Sequence, residues 1–556
     1  MAPPASNGPM TPEETRVVIA SSLGTVFEWY DFYLYGALAA IIARQFFSAL
    51  DAGSAFLFAL LAFAAGFLVR PLGAVLFGRL GDMIGRKYTF LVTMLVMGLA
   101  TFAVGLLPAY ASIGVAAPIL LIGLRLLQGL ALGGEYGGAA VYVAEHAPQH
   151  RRGAYTAWIQ TTATLGLLMA LLVVMGVRAL LGEDAFADWG WRIPFLVSIA
   201  LLAVSVWIRL SLAETPAFQR MKARGRASRA PVREAFGTWK NLRLALLALL
   251  GLTAGQAVVW YTGQFYALFF LTQQLKVEAA TAQLLLALAL LLGTPLFIVF
   301  GALSDRVGRK PVILLGCVLA AATYFPAFQA LTVAANPALA QAQARNQVVI
   351  EASPWGCSFQ FNPTGATRYT SPCDLAKQVL AAHSVSYHTE PAEGESAAAV
   401  VRIGTQRIVL EPATGMTGMT GMQARERERT FRSAVAQALQ VAGYPDHADP
   451  QAIDRLRVVA ILWYLMLLVT MVYGPLAAAL AEMFPTRIRY TAMSLPYHIG
   501  NGWFGGMLPP MAFAIVAQTG NMYSGLWYPV LIAGVGAFIG ALWLRETRGV
   551  DMYAED

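Results

Sequence analysis

Residues 78–87 read GRLGDMIGRK, and residues 301–310 read GALSDRVGRK. Six of the ten positions are identical, and the shared skeleton G-x-L-x-D-x-x-G-R-K recurs after 223 residues. Each copy lies between two long apolar segments, so each predicts a short charged loop that joins two membrane spans. A duplicated loop in an apolar chain indicates two related halves, which is a common build of secondary transporters.

The composition is that of a membrane protein. Of the 556 residues, 57% are hydrophobic and 13% are charged, and the mean hydropathy is +0.58. A soluble protein carries about twice this share of charge. The net charge of +8 is spread over short loops, so it predicts no nucleic-acid surface. The first 15 residues are polar and Pro-rich, and the apolar segment after them is too long for a cleavable signal.

Membrane spans need about 20 apolar residues each. The twelve predicted spans are 17–46, 54–80, 88–108, 114–145, 154–180, 192–213, 241–273, 280–303, 311–333, 456–483, 490–517 and 525–545. The predicted fold class is therefore an all-α polytopic membrane protein with two pseudo-symmetric six-helix bundles. Its expected parts are a first bundle (1–213), a cytoplasmic linker (214–240) and a second bundle in two pieces (241–335 and 455–556).

Positive charges collect in the loops on one side. These residues are Arg79, Arg86, Lys87, Arg151, Arg152, Arg306, Arg309, Lys310, Arg487, Arg489, Arg545 and Arg548, and the segment 214–240 adds Arg220, Lys222, Arg224, Arg226, Arg229 and Arg233. The opposite side offers mainly Arg44, Arg178, Arg192 and Lys276. The positive-inside rule therefore predicts that both termini and both ten-residue loops are cytoplasmic.

A second repeat predicts an insertion. Ala144-Glu145-x-x-Pro148 recurs as Ala481-Glu482-x-x-Pro485 after 337 residues, which is 114 more than the first offset. The extra residues fall after the ninth span, in an outer segment that we place at 336–454. Strand-like composition at 346–352 and 358–361, a hairpin around Gly404-Thr405, and helix-like patterns at 374–382 and 430–441 predict a small α+β unit. Its cysteines, Cys357 and Cys373, favour a disulfide in an oxidising compartment, although two free thiols fit the spacing as well.

Polar side chains interrupt several spans, where charges persist only if they line a cavity or pair. Glu28 and Asp31 lie three residues apart in the first span, and Arg125 and Gln128 share one face of the fourth. The candidates for proton coupling are Glu28, Asp31 and Glu135, with Asp31 the first choice. The candidates for substrate binding are Arg70, Arg125, Gln128, Tyr136, Gln256, Tyr261, Gln264, His498 and Asn501.

An arginine in a span suits a carboxylate solute, because the planar guanidinium binds both carboxylate oxygens. A desolvated carboxylate near an arginine can exchange a proton near neutral pH, because the two effects oppose each other. The alternative is structural: buried ion pairs also hold helices together, and Gln256, Tyr261 and Gln264 also fit ordinary interhelical hydrogen bonds. The residues leave both interpretations open.

The duplicated loop also predicts a gate. Its glycines permit a tight turn, Asp82 can accept from the start of the next helix, and Arg86 can reach a carboxylate such as Glu145. A loop that serves only to set the membrane topology needs the positive charges of this motif but not its repeated glycines and aspartate, so these residues favour a gate. The candidate gate residues are Gly78, Asp82, Gly85, Arg86, Lys87, Glu145, Gly301, Asp305, Gly308, Arg309 and Lys310.

The chain resembles the major facilitator superfamily, whose signature is the doubled loop, and more narrowly its metabolite:proton symporter family. The matching phrases are FEWYDFYLYG (27–36), RPLGA (70–74), RLLQGLALGGEYGGA (125–139), WGWRIPF (189–195), ETPAF (214–218) and PYHIGNGWFGG (496–506). His498 departs from the other polar residues that many relatives carry there. The resemblance covers everything except the insert, which is therefore a candidate for binding a solute or an unknown partner.

This resemblance implies alternating access and proton-coupled import of a small organic acid across the inner membrane of a bacterium, with the insert on the periplasmic side. The implied partners are a small-molecule substrate, protons and the lipid bilayer. Two alternatives remain: symport of a zwitterionic osmolyte, and a transceptor whose insert senses a ligand. We expect that the protein is not an enzyme and needs no metal or cofactor. Met416, Met419, Met422, His383 and His388 are an alternative set of metal ligands, but a flexible Gly-Met-Thr loop explains the same residues.

Overall fold

The structure is a computed structural model. It describes residues 12–50, 52–84, 86–134, 136–210, 230–353, 357–358, 371–392, 398–411, 421–485 and 488–550. Within these ranges the side chains of 12–21, 52–53, 81–84, 86–88, 90, 142, 146, 149, 208–209 and 421–425 are not described.

Residues 12–210 form the first helical half. Its helices are α1 (Pro12–Ala37), α2 (Ala39–Phe46), α3 (Ala52–Leu68), α4 (Arg70–Ile84), α5 (Arg86–Leu106), α6 (Tyr110–Ile113), α7 (Ala116–Leu132), α8 (Tyr136–His146), α9 (Arg152–Leu181), α10 (Glu183–Ala185) and α11 (Arg192–Leu210). A 3₁₀ turn (Gln149–Arg151) precedes α9, and a π-helical turn (Phe186–Gly190) follows α10.

The second half is also helical. Its helices are α12 (Pro231–Phe236), α13 (Trp239–Ala248), α14 (Ala254–Tyr261), α15 (Ala267–Phe269), α16 (Ala279–Gly293), α17 (Leu296–Val307), α18 (Arg309–Ala335), α22 (Arg455–Tyr473), α23 (Leu476–Met483), α24 (Arg489–Ile499), α25 (Leu508–Thr519) and α26 (Trp527–Trp543). Three π-helical turns, Leu249–Thr253, Thr262–Tyr266 and Phe270–Gln274, link α13, α14 and α15 into one long helix. A fourth π-helical turn, Gly500–Gly505, joins α24 to α25, and a 3₁₀ turn, Ser524–Leu526, precedes α26.

A helical structure is expected inside a bilayer, because backbone N–H and C=O groups in hydrocarbon must hydrogen-bond within their own segment. Where the structure describes them, the twelve predicted spans are mostly helical, with breaks such as Val69, Gly474 and Pro475. By length and composition, eight helices in the described part of the chain are long and apolar enough to cross a membrane, or nine with one bent pair. The chain is thus a multi-pass membrane protein, and the count of twelve spans stays a prediction. Residues 231–236, predicted as linker, form α12.

Each ten-residue repeat lies where two helices meet, as predicted, but most of its residues belong to those helices and do not form a loop. In the second copy α17 ends at Val307, α18 begins at Arg309, and Gly308 between them has a φ of 109°. A side chain rarely adopts this backbone conformation, which explains the glycine of the motif. In the first copy α4 and α5 flank Gly85, which lies outside the described residues.

The segment 336–454, here called the insert, contains a four-stranded sheet. Its elements are α19 (Pro337–Arg345), β1 (Val348–Ala352), α20 (Pro372–Ala382), β2 (Tyr387–Pro391), β3 (Ala399–Ile403), β4 (Gln406–Leu410) and α21 (Gly421–Val441). The strand order is β2-β1-β3-β4, with β1 parallel to β2 through α20 and antiparallel to β3. Helices α20 and α21 pack on the sheet, and Phe431, Val435 and Leu439 of α21 are buried as their spacing predicted.

The predicted hairpin is confirmed, with Ile403 opposite Gln406 and Gly404 at a φ of 56°. The strand expected at 358–361 is not tested, because residues 359–361 lie outside the described residues. Sequence reasoning missed α19 and the edge strand β2. Strand β2 reads YHTEP, and this polar sequence lacks the apolar alternation that predicts a strand.

Hydrogen bonds from both backbone and side chains fasten the insert to the second half. Tyr387 N donates to Gly520 O at 2.9 Å, and Ser384 Oγ donates to Gln273 O at 2.8 Å. Lys276 Nζ donates to Ala382 O at 3.3 Å, and burial lowers the pKa of this lysine. Lys276 and Ser384 both have a positive φ, which is uncommon for residues other than glycine. The strained positions therefore lie where the insert meets the loop after residue 274.

A disulfide joins Cys357 to Cys373, whose Cα atoms are 5.2 Å apart. The bond ties the segment after β1 to the first turn of α20. Cys317 is a free thiol buried in α18.

We expect reduction of this disulfide to loosen the insert and to leave the helical halves unchanged. The cysteines are 16 residues apart, and closing a loop of this size stabilises the folded state by about 3 kcal/mol. Hydrogen exchange of the intact protein should accelerate in β1 and α20 and not in α18. The control variant Cys317→Ser should respond like the unaltered protein, since its remaining cysteines are the pair. Equal exchange in the insert before and after reduction would contradict this expectation.

Candidate functional site

Arg70 lies at a break in the second predicted span. The helix is interrupted at Val69, and Pro71 follows Arg70 in the first turn of α4, where a proline needs no donor. The guanidinium is fully buried, and its carbon lies 5.5 Å from the ring centre of Trp29 and 5.4 Å from that of Phe67. None of its three nitrogens has a hydrogen-bond partner among the described residues. A buried cation without a partner is a strong indication of an anionic ligand.

Arg125 is buried in the same region but is bound within the first half. Its Nη1 donates to Gln128 Oε1 at 2.6 Å and to Phe32 O at 3.3 Å, and Gln128 Nε2 donates to Thr101 Oγ1 at 2.8 Å. The guanidinium also lies 4.7 Å from the ring centre of Tyr35. The shared face of Arg125 and Gln128 is therefore confirmed, and hydrogen bonds within the first half hold this pair.

Glycines let the helices approach closely around Arg70. A Cβ on Gly129 would overlap the backbone oxygen of Gly66, and one on Gly133 would overlap that of Arg70. The glycines at the end of α7 therefore allow close approach of this helix to α3 and α4.

Tyrosines from both halves form one wall of the site. The rings of Tyr136 and Tyr497 stack with centres 3.5 Å apart, and the hydroxyls of Tyr497 and Tyr473 are 2.7 Å apart. Gln160 Nε2 donates to Tyr136 Oη at 2.9 Å. Tyr136, predicted from its motif, therefore meets the second half directly.

The remaining candidates separate into two groups. Gln256 and Asn501 bond to each other at 3.1 Å, and Tyr261 packs against Phe67, the ring that Arg70 contacts, with ring centres 5.2 Å apart. Gln264 instead donates to Thr164 Oγ1 of the first half at 3.1 Å. Gln264 itself lies in the π-helical turn 262–266, whereas Gln256 and Tyr261 lie in the α-helix before it, so the ordinary helical period does not describe their relative positions.

Two of the candidate proton carriers, Glu28 and Asp31, lie next to this region, since their chain neighbours Trp29 and Phe32 contact Arg70. Asp31 is 5% exposed and Glu28 is 3% exposed. Asp31 lies beside Ser198 of α11 and close enough to Glu28 for their charges to interact, and its Oδ1 has no hydrogen-bond partner among the described residues. Glu135 lies outside the described residues.

Buried ion pairs join the two halves at the end that carries the duplicated loops. Glu482 binds Arg152 of the first half at 2.8 Å and Arg309 of the second at 3.2 Å. Glu145 of the first half binds Arg489 of the second at 3.2 Å. The predicted contact of Arg86 with Glu145 is not tested, because the side chain of Arg86 is not described.

Asp305 bonds across the halves. Its two oxygens accept from Gly153 N at 2.8 Å and Ala154 N at 2.9 Å, which are the first free donors of α9, and it pairs with Arg309 at 2.7 Å. We predicted for Asp82 a bond to the next helix along the chain; its side chain is not described. In the second copy the next helix, α18, is capped by Glu546 instead, through Arg309 N at 2.9 Å.

Sequence reasoning missed the main members of this network. They are Arg152, Glu482, Arg489, Glu546 and Thr547, whose hydroxyl donates to Glu482 at 2.8 Å. The repeated A-E-x-x-P phrase contains Glu145 and Glu482 and could have identified both carboxylates.

Aromatic contacts between the halves close the opposite side of Arg70. Tyr33 stacks on Trp260 at 5.2 Å between ring centres, Phe63 meets Phe265 at 5.2 Å, and Phe56 meets Phe269 at 5.7 Å. Arg70 is thus enclosed between ion pairs at one end and aromatic rings at the other.

Comparisons with known proteins agree with this fold. A family model described as "Sugar (and other) transporter" matches residues 17–237, and one described as "MFS/sugar transport protein" matches 139–348. The chain is similar to the shikimate transporter of Escherichia coli, with 37% identity over 57% of this chain and 72% of that protein. It is also similar to the alpha-ketoglutarate permease of the same organism, with 35% identity over 59% of this chain and 75% of that protein. It is also 35% identical to the proline/betaine transporter of Salmonella typhimurium, over 56% of this chain.

The match to that proline/betaine transporter spans 64% of its length. Among solved structures, the partially occluded inward open xylose transporter XylE of E. coli matches with a TM-score of 0.59 at 14% identity, covering 97% of this chain and 99% of that one. The same symporter bound to 6-bromo-6-deoxy-D-glucose gives a TM-score of 0.60 at 14% identity, covering 97% of each chain. At this identity the structural likeness supports the fold alone.

Proposed function

From the premise that this chain belongs to the major facilitator superfamily, we propose that it is a proton-coupled secondary transporter that imports a small organic acid by alternating access. The premise itself follows from relatives 35–37% identical that are matched over 72–75% of their length. Members of this family are membrane transporters and not enzymes. The observation that carries the proposal is the buried guanidinium of Arg70, which has no partner among the described residues.

The substrate that fits Arg70 is a carboxylate. A planar guanidinium binds both carboxylate oxygens, and an anion would neutralise a charge that is costly to keep buried. The relatives named for shikimate and alpha-ketoglutarate support a small organic acid. In this assignment Arg125, Gln128, Tyr136, Gln256, Tyr261, His498 and Asn501 shape the site, and Gln264 joins the two halves.

A zwitterionic osmolyte is the second candidate. Tyr33, Trp260 and Trp29 present aromatic faces within the same region, and such faces attract quaternary ammonium groups. The relatives named for proline and betaine support this choice. A transceptor, in which the insert senses a ligand, is a third interpretation and depends on an unknown partner of the insert.

Proteoliposome counterflow tests the proposed function directly. Labelled shikimate, 2-oxoglutarate and glycine betaine would be offered separately, each with and without an imposed proton gradient. Proton-driven accumulation of an organic acid would support the first candidate, and accumulation of betaine alone would support the second. Absence of transport of any of the three would count against both.

For the topology we propose twelve spans in two bundles, 1–213 and 241–556, with 214–240 as a cytoplasmic linker and 336–454 as a periplasmic insert. The distribution of Arg and Lys among the loops supports cytoplasmic termini and cytoplasmic ten-residue loops. The disulfide of the insert fits the oxidising periplasm. The proposed location is the bacterial inner membrane.

The ion pairs around Glu482 form the proposed cytoplasmic gate. The candidate gate residues are those of the two loops with Glu145, and the structure adds Arg152, Glu482 and Arg489 to them. Opening this end requires these contacts between the halves to separate, whereas the pair of Arg309 with Asp305 lies within one half and can persist. In the closed arrangement each buried charge has a partner, which stabilises the state that faces away from the cytoplasm.

We expect Asp305→Asn to shift the protein toward the state open at this end and to lower turnover, with little change in substrate affinity. The amide keeps the shape but loses the charge that holds Gly153 N, Ala154 N and Arg309. Charge-assisted bonds contribute about 1.5–3 kcal/mol each, so the ratio of states should change by about tenfold or more. Spin-label distances across the gate and substrate titration measure the two quantities.

The matched control is Asp454→Asn. Asp454 accepts from Arg457 N at 3.0 Å and so caps a helix within a single half. This variant should leave the distances across the gate unchanged. A large loss of substrate binding in Asp305→Asn without any change in those distances would contradict a role in gating.

A further inference from the structure

His498 is a second buried polar group without a partner. It is fully buried in α24, and neither ring nitrogen has a hydrogen-bond partner among the described residues. A neutral imidazole carries one hydrogen-bond donor and one acceptor, so both ring nitrogens of His498 lack a hydrogen bond. Buried polar groups are nearly always satisfied, and an exception points to something that binds there.

Ser494 lies one helical turn before His498 on the same face of α24. Ser494 is 2% exposed, and its hydroxyl also has no hydrogen-bond partner among the described residues. A Cβ on Gly137 of the first half would collide with this hydroxyl, so the glycine leaves room for it. The two unmet groups therefore face the first half together.

The position of His498 relative to Arg70 matters for function. The imidazole meets Tyr497 and Tyr136 edge-on, with ring centres 5.2 and 6.5 Å away. The charge of Arg70 reaches His498 from the first half. The neighbouring amides are different, since Gln256 and Asn501 bond to each other and need no ligand. His498 and Ser494 are thus unpaired hydrogen-bonding groups, and His498 is close enough to Arg70 to feel its charge.

We propose that His498, with Ser494, forms a specificity subsite for a hydroxyl group of the substrate, so that the transported solute is a hydroxylated carboxylic acid. This inference rests on the proposed function. A hydroxyl both donates and accepts, and it therefore satisfies an imidazole that a methylene or a quaternary ammonium leaves unpaired. A site built around such a bond rejects the analogue that lacks the hydroxyl, because its own buried groups then stay unmet.

The test compares two pairs of solutes that differ only in hydroxyl groups. The pairs are shikimate with cyclohexene-1-carboxylate, and malate with succinate, each used to compete in counterflow by the full-length protein. The unaltered protein should prefer the hydroxylated member of at least one pair by about tenfold or more. His498→Phe keeps an aromatic ring beside Tyr497 and should abolish the preference, whereas His498→Gln, which keeps a donor and an acceptor, should restore part of it.

Two controls keep the outcomes separate. His388→Phe changes a histidine of strand β2 in the insert and should keep the preference. Binding of the unhydroxylated acid by His498→Phe shows that this variant is folded. Equal affinity for both members of each pair in the unaltered protein, or an unchanged preference in His498→Phe, would overturn the subsite while the proposed function stands. If no carboxylate is transported at all, the proposed function fails, and the subsite fails with it.

Discussion

Arg70→Lys is expected to lower the uptake of a carboxylate solute about 10- to 100-fold. No nitrogen of Arg70 makes a hydrogen bond of normal geometry to a described residue, although the side chains of Tyr261 and Tyr497 lie close to it, and a lysine replaces this planar fork by a point charge. Losing one charge-assisted hydrogen bond of about 1.5–3 kcal/mol corresponds to this factor. Initial rates of counterflow and substrate titration measure the change, and Arg70→Gln should have a larger effect because the charge is lost as well.

The control is Arg192→Lys. Arg192 starts α11, donates to Leu107 O at 2.6 Å and stacks on Trp191, away from Arg70. Its replacement should leave affinity near that of the unaltered protein. Arg125→Lys should fall between the two, since Arg125 already bonds to Gln128. Near-normal affinity in both Arg70→Lys and Arg125→Lys would remove the carboxylate-binding role from these arginines.

Asp31→Asn is expected to abolish accumulation against a gradient while exchange between equal pools continues. The amide fills the same space beside Ser198 but cannot carry a proton. With one proton for each solute, a gradient of one pH unit supports about tenfold accumulation, because one unit is worth about 1.36 kcal/mol. The variant should therefore reach a ratio near one in the accumulation assay, with counterflow retained.

Glu28→Gln and Glu135→Gln belong in the same experiment, because Glu28 is buried next to Asp31 and Glu135 is the third candidate. Asp188→Asn is the control, since this exposed carboxylate lies in the π-helical turn after α10. If all three amide variants at the candidate positions still concentrate substrate in response to a pH gradient, the proton travels by another route.

Apolar segments and repeats predicted most of the fold, because a bilayer leaves few alternatives to a helix of sufficient length. The two repeat offsets predicted where the insert lies without any information about its structure. Strand β2 was not predicted because its stability comes from distant parts of the chain. It pairs with β1, and Tyr387 N donates a hydrogen bond to Gly520 O, and neither contact leaves a local sequence pattern.

The site was predicted less completely for a physical reason. Arg70 could be identified because an arginine in an apolar span needs a partner or a cavity. The partners of Glu482 could not be identified from the sequence, because Arg152 lies 330 residues away in the chain and belongs to the other half. Gln256 lies in an α-helix and Gln264 in the π-helical turn that follows it, and the sequence alone does not reveal the wider turn.

The attachment of the insert has a practical consequence for imaging. Two helical halves that resemble each other are hard to tell apart in projection, and a chain of 59.7 kDa offers little mass to orient particles. The insert is held to the second half through Gly520, Gln273 and the backbone of Lys276, so it marks that half. In electron cryo-microscopy it can serve as a built-in fiducial, against which the movement of the first half is measured without an added antibody fragment.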